Sequence, residues 1–396
     1  MRSSILMMLL FFLGYIVCFG EMTNLNNSFV DEKTLQYFSD FKIKEELKVV
    51  NKHVTNIIKT IHGDSYECVD FYKQPAFDHP SMKNHLFHYE RLRISSLQNS
   101  ETNNENFGYL WKNGIGCPTG TVPIKKVTKD EILRLNSFSE KYKPQGSWNF
   151  TYNQIDNQHH FAVSRIKRGK RKVYNGATMI ANTYNPKVKF PQYSSTRMHI
   201  QFENGFIQAG YTVNPKLYSD NKSRTFVYTK RGLLSSQCYN NMCTDGIITV
   251  RPDFPLGSVE EICVRGRKKR YVQRYGLLKD KASGTWWLDI SGVQIGFWPE
   301  DMFQESSANN VEWGGEVYSA HMPSPQMGCG YFSVGRVRYD SIIYNITLVE
   351  ENFKIDERVK NREVFSDNIY GYRVANDIYS DIPVKNIIYY GGPENI

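Results

Sequence analysis

The chain has 396 residues, 40% of them hydrophobic, and carries 49 basic against 40 acidic residues for a formal net charge of +9. That length exceeds one average domain and allows two folding units with sizeable cores. Part of the basic excess lies in two runs, Lys167-Arg-Gly-Lys-Arg-Lys172 and Arg265-Gly-Arg-Lys-Lys-Arg270; no aromatic residues are interleaved with them, which argues against nucleic acid and leaves solvated hairpin tips or an acidic polymer as partner.

Residues 1–20 read as a secretory signal, with Arg2 ahead of the apolar run 5–19 and Gly20 as a cleavage point. The run is short for a membrane span, so no membrane association is expected once the signal is cut. The mature chain is then expected outside the cell, in the cell wall or in a vacuole. Such compartments let disulfides persist, and six cysteines remain after Cys18. Cys238 and Cys243 flank a short turn, and Cys68 and Cys117 share the N-terminal part. Cys263 and Cys329 are left either as a third pair or as buried thiols. Asn26, Asn149, Asn221 and Asn345 each open an Asn-x-Ser/Thr acceptor pattern for surface glycans.

Residues 31–61 place Phe41, Leu47, Val50, Val54 and Ile58 at helical spacing, which predicts one amphipathic helix. From 65 to about 113 the pattern dissolves into an irregular module tied by cystine. The Pro/Gly/Ser break Lys143-Pro-Gln-Gly-Ser147 marks the expected end of an N-terminal domain over 21–145. After about residue 155 short Val-, Ile-, Tyr- and Phe-rich runs alternate with turn residues, at 160–166, 197–202, 206–213, 225–229, 246–250, 285–291 and 293–297. This pattern predicts an antiparallel β-sandwich or barrel over 155–396.

No Gly-x-Ser-x-Gly, P-loop or zinc-ligand spacing occurs, so neither a metal nor a cofactor is expected. The nine histidines read individually as ordinary surface or core residues. Carboxylates remain. Asn310-Val-Glu-Trp-Gly-Gly-Glu-Val-Tyr318 sets Glu312 and Glu316 on one face of a strand, roughly 13 Å apart at about 3.3 Å per residue, too far to share a proton. A second strand must supply the partner group, and 207–211 is the expected neighbour. Gly314 and Gly315 leave bare backbone beside Glu316 for a substrate chain.

Several motifs in order carry a family resemblance. Glu67-Cys-Val-Asp-Phe-Tyr-Lys-Gln-Pro-Ala-Phe-Asp-His-Pro80 and Gly116-Cys-Pro-Thr-Gly-Thr-Val-Pro-Ile124 resemble the activation domain of the neprosin family of plant proteins. Gln208-Ala-Gly-Tyr-Thr-Val-Asn-Pro215, Gly284-Thr-Trp-Trp-Leu288, Gly296-Phe-Trp-Pro299, Val311-Glu-Trp-Gly-Gly-Glu-Val-Tyr318 and Tyr389-Tyr-Gly-Gly-Pro393 resemble its catalytic domain. The resemblance implies a secreted glutamic endopeptidase that cuts after proline, made as a proenzyme on a β-sandwich behind a small α+β or irregular activation domain.

In that family two glutamates form the catalytic pair; the second falls on Glu316 and the first on Gln208. An amide neither accepts nor delivers a proton there. Glu203 lies five residues earlier, an odd offset that turns it to the other face. The glutamine-first arrangement is similar to that of the fungal eqolisins, in which the amide donates to the oxyanion. The resemblance further places Trp313, Gly314, Gly315, Tyr211 and Gln326 along a substrate cleft for proline-containing peptides. The alternative is an inactive relative that binds proline-rich wall proteins, or acidic wall polysaccharide through its basic runs.

Overall fold

The computed structural model of the chain describes residues 44, 47, 54–82, 106–137, 142–149, 158–167, 172–232, 236–303, 307–376 and 384–393. Its contacts divide it into Met1–Glu46 and Leu47–Ile396, and the sheets lie in the second unit. Among the described residues no helix is long and apolar enough to cross a membrane.

A small antiparallel sheet comes first: β1 (Val54–Lys59), β2 (Ser65–Asp70) and β3 (Thr121–Lys125). The stretch expected to end the amphipathic helix is therefore strand β1, paired with β2 across a tight turn at Gly63. Lys44 and Leu47 are helical, and the rest of 31–53 lies outside the described residues. Pairing beats helical spacing here because Ile58, the one buried residue of β1, packs with Tyr66 and Cys68 of β2 and with Trp111 and Cys117 of the loop beyond it. The disulfide Cys68–Cys117 ties β2 to the loop before β3. Gln74 anchors the module by donating to Thr249 O and accepting from Thr249 N, both at 2.9 Å. Helix α1 (Lys129–Asn136) starts on a reciprocal cap, in which Thr128 N donates to Glu131 at 2.8 Å and Glu131 N donates back to Thr128 Oγ1 at 3.3 Å.

Two larger antiparallel sheets form the sandwich. One has the order β17 (Arg362–Ser366), β4 (His159–Ile166), β14 (Asn310–Tyr318), β6 (Tyr193–Phe202), β7 (Gly205–Val213), β8 (Ser223–Arg231), β9 (Ser236–Tyr239). The other runs β10 (Ile248–Thr249), β13 (Val293–Trp298), β12 (Trp286–Ile290), β11 (Val272–Lys279), β5 (Tyr174–Asn182), β15 (Ser341–Glu350), β19 (Ile388–Gly391), β18 (Arg373–Asn376), with β16 (Ile355–Asp356) beside β15. Met198, Ile200, Ile207, Ala209, Val311, Trp313 and Val317 of the first sheet pack on Met179, Ala181, Leu277, Leu288, Ile343 and Tyr390 of the second. Trp298 Nε1 donates to Thr229 Oγ1 across the layers at 2.9 Å. A second disulfide joins Cys238 and Cys243, while Cys263 and Cys329 are free thiols.

Neighbours in the first sheet differ from the expected pairing. β14 pairs with β4 and β6, and β6 stands between β14 and β7. The carboxylate strand and the glutamine strand thus share a sheet but not a ladder. A hairpin turn at Glu203 and Asn204 joins β6 directly to β7, so β6 takes the place beside β7 that 310–318 was expected to fill. Glu203 sits exposed at that turn.

Candidate active site

Because strand side chains alternate, every core residue of this sheet has a neighbour aimed at the outer face. On β6 the outward row is Tyr193, Ser195, Arg197, His199; on β14 it is Glu312, Gly314, Glu316; on β7 it includes Gln208, and on β4 Phe161 and Arg165. Arg197 stands opposite Gly314 on one side and Gly210 on the other, so bare backbone flanks its guanidinium.

Arg197 Nη2 lies 2.5 Å from Glu312 Oε1, and its Nε lies 3.1 Å from Glu316 Oε2. One guanidinium therefore spans the two acids that sequence spacing set far apart. Gln208 Nε2 donates to Glu316 Oε2 at 3.1 Å across the intervening strand. Tyr193 donates its hydroxyl proton to Glu316 Oε1 at 2.7 Å, and His159 Nδ1 lies 3.3 Å from the same oxygen. All these side chains are buried.

The cover is the segment 142–149. Gln145 N donates to Glu316 Oε1 at 2.8 Å, while its carbonyl accepts from Gln208 Nε2 at 2.9 Å. Ser147 N and Oγ donate to Glu312 at 3.0 and 2.5 Å. Arg165 Nη1 donates to Ser147 O at 3.2 Å, and its guanidinium lies over the Trp148 ring, 5.2 Å from the centroid. A stretch that composition marks as a linker is a peptide laid across two carboxylates.

These contacts set the charges. Burial favours a protonated Glu316, but the hydrogen bond from His159, the charge of Arg197 and the Gln145 N–H outweigh it and hold the carboxyl at about 2. Burial is likewise overcome at Glu312, chiefly by Arg197, so its carboxyl falls below its ordinary value. Burial opposes the Arg197 charge, yet the two glutamates raise its pKa. Burial lowers His199 to about 4, so its ring is neutral near pH 7; its Nε2 is 3.1 Å from Gln201 Oε1 and its Nδ1 is 3.1 Å from Gln208 Nε2.

Glu316 and Gln208 converge, but other expected cleft residues do not join them. Trp313 is fully buried in the sandwich core on the opposite face of β14. Tyr211 also points inward and donates to Asn182 O at 2.9 Å. The one-residue offset from the outward row explains both. A Cβ on Gly314 would come within 2.3 Å of Ala162 O, and one on Gly315 within 2.3 Å of Met327 Sδ. Those glycines admit neighbours within the fold rather than a substrate chain. Gln326 Oε1 accepts from Lys187 N at 3.0 Å, in a different loop. Asn221 and Asn345 are exposed, whereas Asn26 and the Asn149 side chain lie outside the described residues.

Arg197, His159, His199 and Tyr193 were not singled out by sequence. The signal was present in Arg197-Met-His-Ile-Gln-Phe202, a strict polar/apolar alternation. Alternation alone predicts a solvated face, and nothing in it reveals that another segment covers that face.

The neprosin family matches residues 191–393, just over half of the chain, and the neprosin activation peptide matches residues 57–165, which include the covering segment. Among solved structures the chain is similar to Scytalido-glutamic peptidase with a peptide-based transition-state analogue, at 6% identity, 60% of this chain, 98% of that one and a TM-score of 0.33. It is also similar to SCP-B, a member of the eqolisin family, in complex with the tripeptide Ala-Ile-His, at 5% identity, 60% of this chain, 98% of that one and a TM-score of 0.29. At those values neither structure bears on the mechanism of this chain. By its two ordered matches, the chain belongs to the neprosin family.

Proposed function

We propose that the chain is the proenzyme of a glutamic endopeptidase that cuts after proline, with Glu316 as its working carboxylate and Gln208 where a second acid would stand. The observation that carries this reading is the 3.1 Å approach of Gln208 Nε2 to Glu316 Oε2 beneath a peptide segment. Glu316 takes one proton from a water molecule as the water oxygen bonds to the scissile carbonyl carbon. Gln208 donates to the developing oxyanion, a contribution of about 3 kcal/mol when well placed. Collapse breaks the carbon–nitrogen bond, and Glu316 returns the proton to the leaving nitrogen. The after-proline preference follows the family resemblance.

Latency fits the same contacts. The carbonyl on Gln208 belongs to Gln145, the residue after Pro144, so the covering segment does not offer its proline carbonyl to the donor. Its Gln145 N–H meanwhile occupies Glu316. Two disulfides and the leader-like residues 1–20 support an extracellular or vacuolar setting.

A second reading is favoured by the Arg197 clamp. One cation bridges both acids and holds them in place, which suits a groove that holds extended, proline-rich peptides without cutting them. The test is cleavage of a proline-containing peptide by the acid-treated protein between about pH 2 and pH 7. Turnover that disappears in Glu316→Gln supports the peptidase. Absence of cleavage across that range, with retained peptide binding, leaves the binding protein.

A further inference from the structure

The covering segment lies over the two carboxylates in contact through its backbone and side chains. We propose that the groove recognises peptides with an aromatic residue three positions before, and a glycine immediately after, the residue whose carbonyl meets Gln208. This rests on reading the groove as a peptide site, which both functional readings share.

The aromatic position is filled by Tyr142. Its ring meets Tyr318 and Tyr193 edge-on at centroid distances of 4.9 and 5.5 Å, and Lys216 Nζ lies over it at 4.7 Å. Its hydroxyl donates to Asn214 Oδ1 at 2.6 Å, and that oxygen also accepts from Leu217 N at 2.9 Å, at the start of α2 (Pro215–Tyr218). The acceptor is thus fixed by the turn that follows β7. A buried phenol finds both an apolar wall and a polar end, the combination that suits tyrosine over an aliphatic side chain. Tyr193 contributes to this wall and to Glu316 together, so the aromatic subsite and the carboxylate are one continuous surface.

The glycine position is filled by Gly146. A Cβ there would lie 2.8 Å from both Cε1 and Nε2 of His199. The ring cannot turn aside without loss: Nε2 is engaged with Gln201 Oε1, and its face with Phe206 at a centroid distance of 4.6 Å. Space, not backbone conformation, excludes a side chain here.

Two measurements on the full chain test this. In Tyr142→Ala/Gly146→Ala, which loosens the covering segment, the labelled heptapeptide Tyr-Lys-Pro-Gln-Gly-Ser-Trp is expected to bind at least about ten times more tightly than versions with alanine for its tyrosine or its glycine. Equal binding of all three peptides overturns the proposal. Without any peptide, hydrogen exchange at the amides of Gln145 and Ser147 is expected to quicken at least about tenfold in each single alanine variant, while β6 and β7 stay protected. Unchanged exchange overturns it, and so does an unchanged rate in Tyr142→Phe, which keeps the ring and loses the bond to Asn214. Failure of the peptidase reading looks different: Tyr-Lys-Gln-Pro-Gly-Ser-Trp, which offers a proline carbonyl at the position of Gln145, is bound selectively and left uncut.

Discussion

Arg197 and Glu316 sit on adjacent strands two residues out of register, and the guanidinium closes on the carboxylate at 3.1 Å. The same offset in the other direction brings Glu312, because Arg197 stands opposite Gly314, midway between the two acids. Diagonal neighbours in an antiparallel ladder have Cα atoms about 7–8 Å apart, within reach of an arginine. One residue thereby links acids that a single strand keeps separate.

Replacing Arg197 by methionine leaves two buried carboxylates without their cation. Removing one partner of a buried pair costs about 3–5 kcal/mol. The loss is expected in full near pH 7 and is expected to shrink in acid, where the orphaned acids take up protons. Urea unfolding at both pH values checks this, and an equal loss at each contradicts the clamp.

The site also sets a direction for pH dependence. Glu316 is held at about 2, below its ordinary 4.5, so its contribution is present above pH 4.5 and is lost as pH falls through that window. On the scale of 1.36 kcal/mol per unit this is roughly 3 kcal/mol. His199 is depressed from 6.5 to about 4, so the unfolded chain binds its proton first and stability falls between those values as well. Both slopes share a sign. Thermal midpoints are expected to fall steadily from about pH 6.5 towards pH 2, and His199→Gln is expected to flatten only the upper part of that curve.

Gln208 makes a claim about the donor rather than the acid. An amide donates at every pH, whereas a carboxyl donates only when protonated. Gln208→Glu sets a second acid beside Glu316, and the two then titrate as a coupled pair. Its cleavage profile is expected to be confined to acid and to drop on the alkaline side, where no such limb is expected of the wild type. Superimposable profiles would show that residue 208 does not serve the oxyanion.

Much of the sandwich was legible because Val-, Ile-, Tyr- and Phe-rich runs are set between turn residues. The runs at 160–166, 206–213 and 293–297 fall within β4, β7 and β13. Gly246 to Val250 was read too long, since only Ile248–Thr249 pair there. Glu316 and Gln208 were legible through motif, yet what makes them a site was not. Strand order hid Arg197, because sequence gives alternation but not which strand lies between two others. The covering segment was hidden for another reason: Pro144, Gly146 and Ser147 read as a linker, although the amides of Gln145 and Ser147 donate to buried acids a long way along the chain. Ile58 shows the converse, a helical spacing that strand pairing overrode.

Trp313 gives the clearest test of which face of β14 does the chemistry. Its side chain is fully buried, its cross-strand neighbours are Met198 and Ser164, and it packs in the same core as Ile200 and Val317. Trp313→Ala removes a large buried ring and leaves a cavity, at a cost of about 3–5 kcal/mol. The urea midpoint is expected to fall accordingly with little change in slope. Peptide binding per folded molecule is expected to stay within about twofold, since the carboxylates project from the other face of the same strand. Lost binding at unchanged stability would place the tryptophan in the groove and overturn the assignment of the two faces.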